Sequence, residues 1–423
     1  MSYKKLILIF SIFIINSCTN APVFKEKEAL NSSQKREFLD ILKKDKYLSI
    51  CNLNREYQEL LKSDSNNSRL LKKLLISYTQ NLANGCIDLK SFEDSQKRRK
   101  KEEIDSVYNV DIQRVDRAKI SKLLDLNSSI ESILKPYIPP YPTFKALVNR
   151  YNLLKAKKST SKKLLYKLRL NIERVKLLPH KLEKSYITIN IPEFNLRLVE
   201  ENQTKLLFGV VVGKYKKQTP IFSSKLSYIV VNPTWNIPDS IARKSIIPKM
   251  LRSRKYLSRK GIVIRKSYDL NSKKIKRADV KWKKYLKKRG YIPYKFIQKP
   301  SKRNGLGRVK FIFPNRYAVY MHDTTGKFRF KSKRKSMRVN SSGCIRLEKP
   351  LTMLRYITSK YTKQSIKSVT KRYKSLKSYN LSLSKKLQVH TLYLTAFIDD
   401  CGVLRLSDDI YGFDKSQKLN FKL

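Results

Sequence analysis

The chain has 423 residues, enough for two or three domains and a core that needs neither disulfides nor metals to fold. With 41% hydrophobic residues the composition is globular and excludes a disordered polypeptide. The 94 Lys+Arg against 33 Asp+Glu give a formal charge of +61, which invites a nucleic-acid reading, because cationic surfaces gain affinity by releasing counterions from phosphates. Basic residues run through the whole chain instead of marking one patch, and the heavy use of Lys, Asn, Ile and Tyr is the pattern of AT-rich coding. A surface suited to anionic polymers or envelopes is the other reading of the charge.

At the N-terminus Lys4 and Lys5 precede the apolar run Leu6 to Ile15, and Ile15, Asn16 and Ser17 lead to Cys18. This is the charged, apolar, small-residue order of a secretory signal, and the run is shorter than the roughly 20 residues that span a bilayer. The INSC tetrad also resembles a bacterial lipobox, which makes Cys18 the candidate for lipidation and residues 1–18 a signal peptide. The expected location is the periplasm with a lipid anchor in the outer membrane, since Thr19 and Asn20 supply no aspartate for retention at the inner one. In an oxidising compartment Cys51 and Cys86 are able to pair, although spacing alone fixes no connectivity. Cys401, in IDDCGVL, reads as a tolerated surface thiol at a hairpin turn.

Glycine divides the chain: of 11 glycines only Gly85 precedes residue 200. Left-handed turns in strand-rich domains lean on glycine, so residues 19–180 are predicted to be a mostly helical scaffold. Apolar residues at helical spacing in REYQELLKS and SRLLKKLLISYTQNL agree. FEDSQKRRKKEE (92–103) reads as a charged linker or a solvated helix, and KPYIPPYP (135–142), with four prolines, marks a break. FKALVNRYNLLK and KKLLYKLRLNIERVKLL read as two more helices. After Pro179 the period becomes two: SYITINI, FNLRLVE, KLLFGVVVG, LSYIVVNPTW, VKFIFP and YAVYMHD are short strands. The fold class is therefore α+β, with a mainly antiparallel sandwich or barrel-like domain over 184–375. The basic stretch 239–300 is predicted to be an excursion over one face, and 385–415 a C-terminal hairpin that pairs back onto the sheet or supports the helices.

A cysteine nucleophile needs a base, a group that orients the base, and donors for the oxyanion. Among three histidines, His180 at the domain junction and His390 on a strand flank read as structural. His322 ends YAVYMHD, where alternation puts the ring at a sheet rim, and it precedes Cys344 by 22 residues. Gly343 lets the backbone turn sharply so that nearby amides point at an oxyanion. An imidazolium at His322 would lower the Cys344 pKa, and Arg346 is placed to grip a substrate carboxylate.

YAVYMHDTTG together with NSSGCIRLEKP resembles the signature of the YkuD-type L,D-transpeptidases, a strand-borne His followed by a loop and a Ser/Thr-x-Gly-Cys-x-Arg element. VVVGKYKKQTPIFSS, VVNPTWNIPDSIARKSIIPKM, NGLGRVKFIFPNRYAVYMHDT and LYLTAFIDDCGVLRLSDDIYGFD resemble the YcbB-like subgroup in the same order, across 165–415. The resemblance implies attack on a peptidoglycan stem between its third residue, meso-diaminopimelate (mDAP), and the terminal D-alanine. A thioester on Cys344 then passes to the side-chain amine of a second stem, giving a 3-3 (mDAP-mDAP) cross-link. Carried over, Cys344 is the nucleophile, His322 the general base and acid, and the backbone at Ser342, Gly343 and Cys344 the oxyanion site. Arg346 matches a substrate-binding arginine, and Asp323 lies where the group orienting the histidine falls. Asn232 and Trp235 of NPTW are expected to serve the fold and the cleft rim.

The resemblance also implies no metal and no cofactor, tetrapeptide stems as donor and acceptor, carbapenem-type β-lactams as covalent inhibitors, and no specific nucleic acid. A membrane enters only through a lipid at Cys18. Three departures stand out: Ser342 where many members have a second histidine, seven Lys or Arg in the loop 324–340, and no room for a peptidoglycan-binding insert in 152–179. The same acyl-enzyme with water makes an L,D-carboxypeptidase, and with a protein amine it attaches a protein to the wall. A non-catalytic cationic protein binding wall or nucleic acid would explain the charge but not His322 with Cys344.

Overall fold

The structure, a computed structural model, describes residues 30–63, 67–287, 291–332 and 334–423; the signal-like segment and Cys18 lie outside them. The first half forms helices α1 (Ser32–Lys44), α2 (Asn54–Lys62), α3 (Ser68–Asn84), α4 (Leu89–Lys101), α5 (Arg117–Asp125), α6 (Ile130–Leu134), α7 (Pro142–Ala156) and α8 (Lys162–Lys176). Polar residues stand where helix starts need them: Asn31 and Gln34 form a reciprocal capping box at α1, and Asp88 and Ser161 accept first-turn amides at α4 and α8. Helix α3 ends at Gly85, φ +68°, where a Cβ would come 2.8 Å from the Glu173 carbonyl oxygen; the early glycine is thus both a C-cap and a point of close packing. Cys86 follows it and is bonded to Cys51, with a Cα–Cα distance of 6.3 Å. No helix among the described residues is long and apolar enough to cross a membrane.

The stretch 92–103 is no linker, because most of it belongs to α4, and that helix is docked. Phe92 packs edge-on against Tyr108 and Phe413 in the core of the sheet domain. Arg99 is buried and donates to the carbonyls of Tyr411 at 2.8 Å and Gly412 at 2.9 Å. Backbone carbonyls satisfy that guanidinium, so a helix whose spelling is almost all charge can still bury one face.

The second half opens with β1 (Ser185–Asn190), β2 (Asn195–Glu200), β3 (Gln203–Gly213) and β4 (Ser223–Val231). Strands β5 (Trp235–Ile237), β6 (Ile262–Arg265) and β7 (Lys295–Gln298) form a separate three-stranded sheet, and β8 (Val309–Ile312), β9 (Met321–His322), β10 (Val339–Ser341), β11 (Ile345–Leu347) and β12 (Tyr379–Leu392) return to the main one. The main sheet has nine strands in the order β10-β3-β11-β9-β8-β4-β12-β1-β2. Because β2 also pairs with β3, it closes on itself, so of the sandwich and barrel-like arrangements the molecule takes the second. Parallel pairs β1–β12, β3–β10 and β9–β11 sit among the antiparallel ones. Ile187, Leu196, Val210, Ile229, Phe311, Met321 and Ile345 are fully buried inside it.

The basic excursion has a core of its own, built from Ile237, Ile247, Met250, Trp282 and Phe296. The residues VHTL belong to β12, so the terminal hairpin is shorter than expected and consists of β13 (Ala396–Ile398) and β14 (Leu404–Leu406). Its Ala396 and Phe397 are buried in the helical core together with residues of α7 and α8, which makes it a support for the helices.

Candidate active site

Three adjacent strands carry the site. Lys310 on β8 is registered opposite His322 across an antiparallel pair, and Arg346 on β11 opposite His322 across a parallel one. Ile345 N donates to the Tyr320 carbonyl at 3.1 Å, extending the β9–β11 pairing past the strand ends. Alternation then sorts the side chains: Phe311, Met321 and Ile345 are at 0% exposure in the core, which leaves Lys310, Tyr320, His322, Cys344 and Arg346 on the opposite face. The structure thereby brings together the three chemically charged predictions, His322, Cys344 and Arg346.

Cys344 is partly exposed and is a free thiol, with Sγ 3.9 Å from the Ala318 carbonyl oxygen. The preceding Gly343 has φ +109°, which an L side chain rarely adopts, whereas a Cβ there would meet nothing closer than 3.5 Å. Conformation, then, and not crowding, demands glycine. Two bonds tie this loop to the turn after β3: Thr219 Oγ1 donates to Gly343 O at 2.8 Å, and Lys214 N to Ser341 O at 3.0 Å. Gly343 N itself donates to Ser341 Oγ at 3.1 Å, so that amide is engaged within the loop and is not free to face an oxyanion as expected.

Asp323 does not orient His322 through its side chain. Its Oδ2 accepts from Arg308 N at 2.9 Å, its Oδ1 from Thr324 N at 2.7 Å, and Lys327 pairs with it at 2.9 Å. The Asp323 backbone carbonyl lies 2.5 Å from His322 Nδ1 instead, so a main-chain oxygen holds the ring in place. Gly307, at φ +65°, makes this seat possible, since a Cβ would stand 2.4 Å from Asp323 atoms.

The electrostatics differ from the expected imidazolium–thiolate pair. Burial, and then the Arg346 charge, hold His322 down at about 4 against the pull of the Asp323 and Leu306 carbonyls. Burial pushes the Cys344 thiol up, although Tyr320, Lys310 and Arg346 all favour its thiolate. Both groups therefore rest neutral near neutral pH. A neutral His322 keeps a ring lone pair, and Cys344 keeps its proton.

Tyr320, Lys310 and Arg329 were missed at the level of sequence. The Tyr320 ring lies 5.6 Å from the His322 ring and under the Lys310 ammonium at 3.8 Å. Arg329, from the basic loop, acts on Arg346 and lowers its pKa after burial does. Tyr320 stands two residues before His322 and shares its face, a signal the alternation already contained.

The remaining candidates are structural. His180 Nε2 contacts the Lys176 carbonyl at 3.2 Å, and His390 Nδ1 bonds Ser223 Oγ at 2.7 Å between the rings of Tyr141 and Tyr186. Asn232 Nδ2 donates to the carbonyls of Arg372, Tyr373 and Lys377, while its Oδ1 accepts from Arg308 Nε at 2.7 Å. Trp235 packs over Gly305, where a Cβ would come within 2.6 Å of the indole.

Comparison with known proteins bears on this segment. Residues 184–367 match the family model of the L,D-transpeptidase catalytic domain, YkuD. A Haemophilus influenzae protein that carries an L,D-transpeptidase name is 29% identical over 255 residues, covering 60% of this chain and 49% of its own, so the chain spans about half the length of that relative. Two solved structures are an L,D-transpeptidase from Mycobacterium smegmatis and one from Enterococcus faecium bearing a cysteine-to-serine substitution. They share 11% and 8% identity and cover 49% and 72% of this chain and 58% and 99% of their own, with TM-scores of 0.21 and 0.22, too low to bear on fold or site. The matched segment contains Lys310, His322, Cys344 and Arg346, so all the residues gathered on this face lie in the part of the chain that is similar to a YkuD L,D-transpeptidase catalytic domain.

Proposed function

We propose that this protein is a peptidoglycan L,D-transpeptidase that forms 3-3 cross-links through an acyl-enzyme on Cys344. The observation that carries the reading is the common face of His322, Cys344 and Arg346 on paired strands of a YkuD-like domain. Cys344 Sγ attacks the carbonyl between mDAP and the terminal D-alanine as its proton passes to His322. The C–N bond breaks, the proton goes to the leaving D-alanine nitrogen, and a thioester remains. The side-chain amine of a second stem then attacks the thioester, losing its proton to His322; a C–N bond forms, the S–C bond breaks, and the thiol recovers the proton. Ser342 and Cys344 amides face the oxyanion, and Arg346 binds a stem carboxylate. Ser342 fits the YcbB-like subgroup, and exposure of Cys18 chemistry to lipidation in the periplasm belongs to the same proposal.

Mass analysis of muropeptides after incubation with tetrapeptide substrate tests it. Cross-linked dimers with loss of D-alanine are expected. Tripeptide accumulating without dimers would mean that water is the acceptor, and a stem attached to a protein amine would point to protein anchoring.

The resting charge state makes a second expectation. His322 is neutral above its folded pKa of about 4, so the base stays available well below the ordinary histidine value of 6.5. The acid limb of kcat/KM for acylation by a carbapenem should therefore fall near pH 4. A limb near 6.5, followed by intact mass across the pH range, would sink the buried neutral pair.

A further inference from the structure

Beside the nucleophile loop lies a cleft of about 1000 Å³ that three parts of the chain enclose: α4 with the segment Glu103–Val107, the turn after β3, and Lys244 of the insertion. We propose that this cleft is a docking site for the acidic, stem-bearing glycan strand that presents the reacting peptide. The inference rests on the function proposed above and adds the place where the polymer is held.

Charge comes first. Six lysines line the cleft against three carboxylates. Lys97 is paired with Asp94 at 3.2 Å and Lys217 with Asp105 at 2.9 Å. Lys100, Lys214, Lys216 and Lys244 are exposed and make no ion pair among the described residues. The walls therefore keep an unneutralised positive field in a concave place, where field lines concentrate.

Unmet hydrogen bonds narrow the ligand. Oε1 and Nε2 of Gln96 and Oγ of Ser106 are shielded from solvent and have no partner, and both residues line the cleft. Leaving a buried amide with donor and acceptor both unpaired is costly. Turned into the cleft, the Gln96 side chain would meet a ligand amide, as in a peptide unit or an N-acetyl group, with matching donor and acceptor, whereas a phosphate offers acceptors alone. Tyr215, 45% exposed at the same wall, gives an apolar ring for a sugar face. Carboxylates, amides and sugar faces together describe a stem-bearing glycan better than a nucleic acid.

Continuity with the chemistry completes the argument. The turn that floors the cleft is the one that braces the nucleophile loop, through Lys214 N to Ser341 O at 3.0 Å and Thr219 Oγ1 to Gly343 O at 2.8 Å. Gln218 O stands 3.5 Å from where a Gly343 Cβ would be. A polymer seated on this turn lies against the loop that carries Cys344.

The test uses the full chain and purified insoluble sacculi. The combined substitution Lys100→Gln, Lys214→Gln, Lys216→Gln and Lys244→Gln is expected to lower co-sedimentation affinity at least about 10-fold, with a weaker salt dependence. Acylation of Cys344 by a carbapenem, which is too small to need the cleft, should stay within about twofold, so a failure of the nucleophile assignment shows separately in the wild type. Lys→Arg at the four positions should restore binding, and sacculi stripped of their stems should bind the wild type weakly. Unchanged sacculus binding by the Gln variant would overturn the proposal, as would equal binding to stripped sacculi or a loss confined to single-stranded nucleic acid.

Discussion

Cys344→Ala is expected to abolish acylation and cross-linking, a loss of about 10⁴-fold or more, with no change in fold. The thiol lies 3.9 Å from the Ala318 carbonyl and beside Tyr320, and it is partly exposed, so its removal opens only a partly exposed gap. His322→Ala should lose nearly as much. In the mechanism proposed above the ring takes the thiol proton, and a neutral His322 has the lone pair to do so. The informative variant is the double substitution, which should be no slower than the worse single one, because groups that act as one unit are not additive. Intact-mass acylation by a carbapenem and dimer formation from tetrapeptide read the same series. A Cys344→Ala protein that still forms an adduct would place the nucleophile elsewhere, Cys401 being the other free thiol among the described residues.

Tyr320→Phe and Lys310→Met probe what the sequence did not announce, and they explain the limits of reading it. Period-two alternation in YAVYMHD and VKFIFP was enough to put His322 on a strand, and the Ser-Gly-Cys turn was enough to suspect Cys344. That Lys310, Tyr320 and Arg346 crowd the same face depends on the order β8-β9-β11, set by pairings between strands far apart in the chain. Closure of the sheet through β2 and β3 is likewise a long-range fact with no local spelling. Helix α4 was obscured for another reason: Arg99 is satisfied by two backbone carbonyls, and a charged letter does not reveal its partners. The charge state of the pair was misread because neighbouring charges were weighed and burial was not; burial is the first cause at both His322 and Cys344.

The same blindness to burial hides a fragile point in the helical half, and Glu173→Ala should expose it with a destabilisation of about 3–5 kcal/mol. The sequence reads α8 as a helix and no more, yet its buried face carries Arg169, Glu173 and Lys176 with side chains 0–4% exposed. Glu173 accepts from Arg169 Nε at 2.6 Å and from Cys86 N at 2.8 Å, and pairs with Lys176 at 3.1 Å. Arg169 Nη2 and Lys176 Nζ also donate to the Leu48 carbonyl, so one carboxylate knits α8 to the loops on both sides of the Cys51–Cys86 bond. Its removal strands two buried cations, and only one can shed its proton. Burial already holds Lys176 at about 8, below the ordinary 10.5, while Glu173 is the largest influence opposing that shift. In the variant Lys176 is lowered further and is neutral in the fold at a pH where the unfolded chain still binds the proton. Stability of the variant should consequently rise as pH increases toward 10.5, while Arg169 keeps its charge and the residual deficit. Urea unfolding of wild type, Glu173→Ala and Glu173→Gln measures this, the last being milder because it keeps an acceptor for Cys86 N. A Glu173→Ala loss under about 1 kcal/mol would mean that the cations find water or other partners, and the cluster would then hold nothing together.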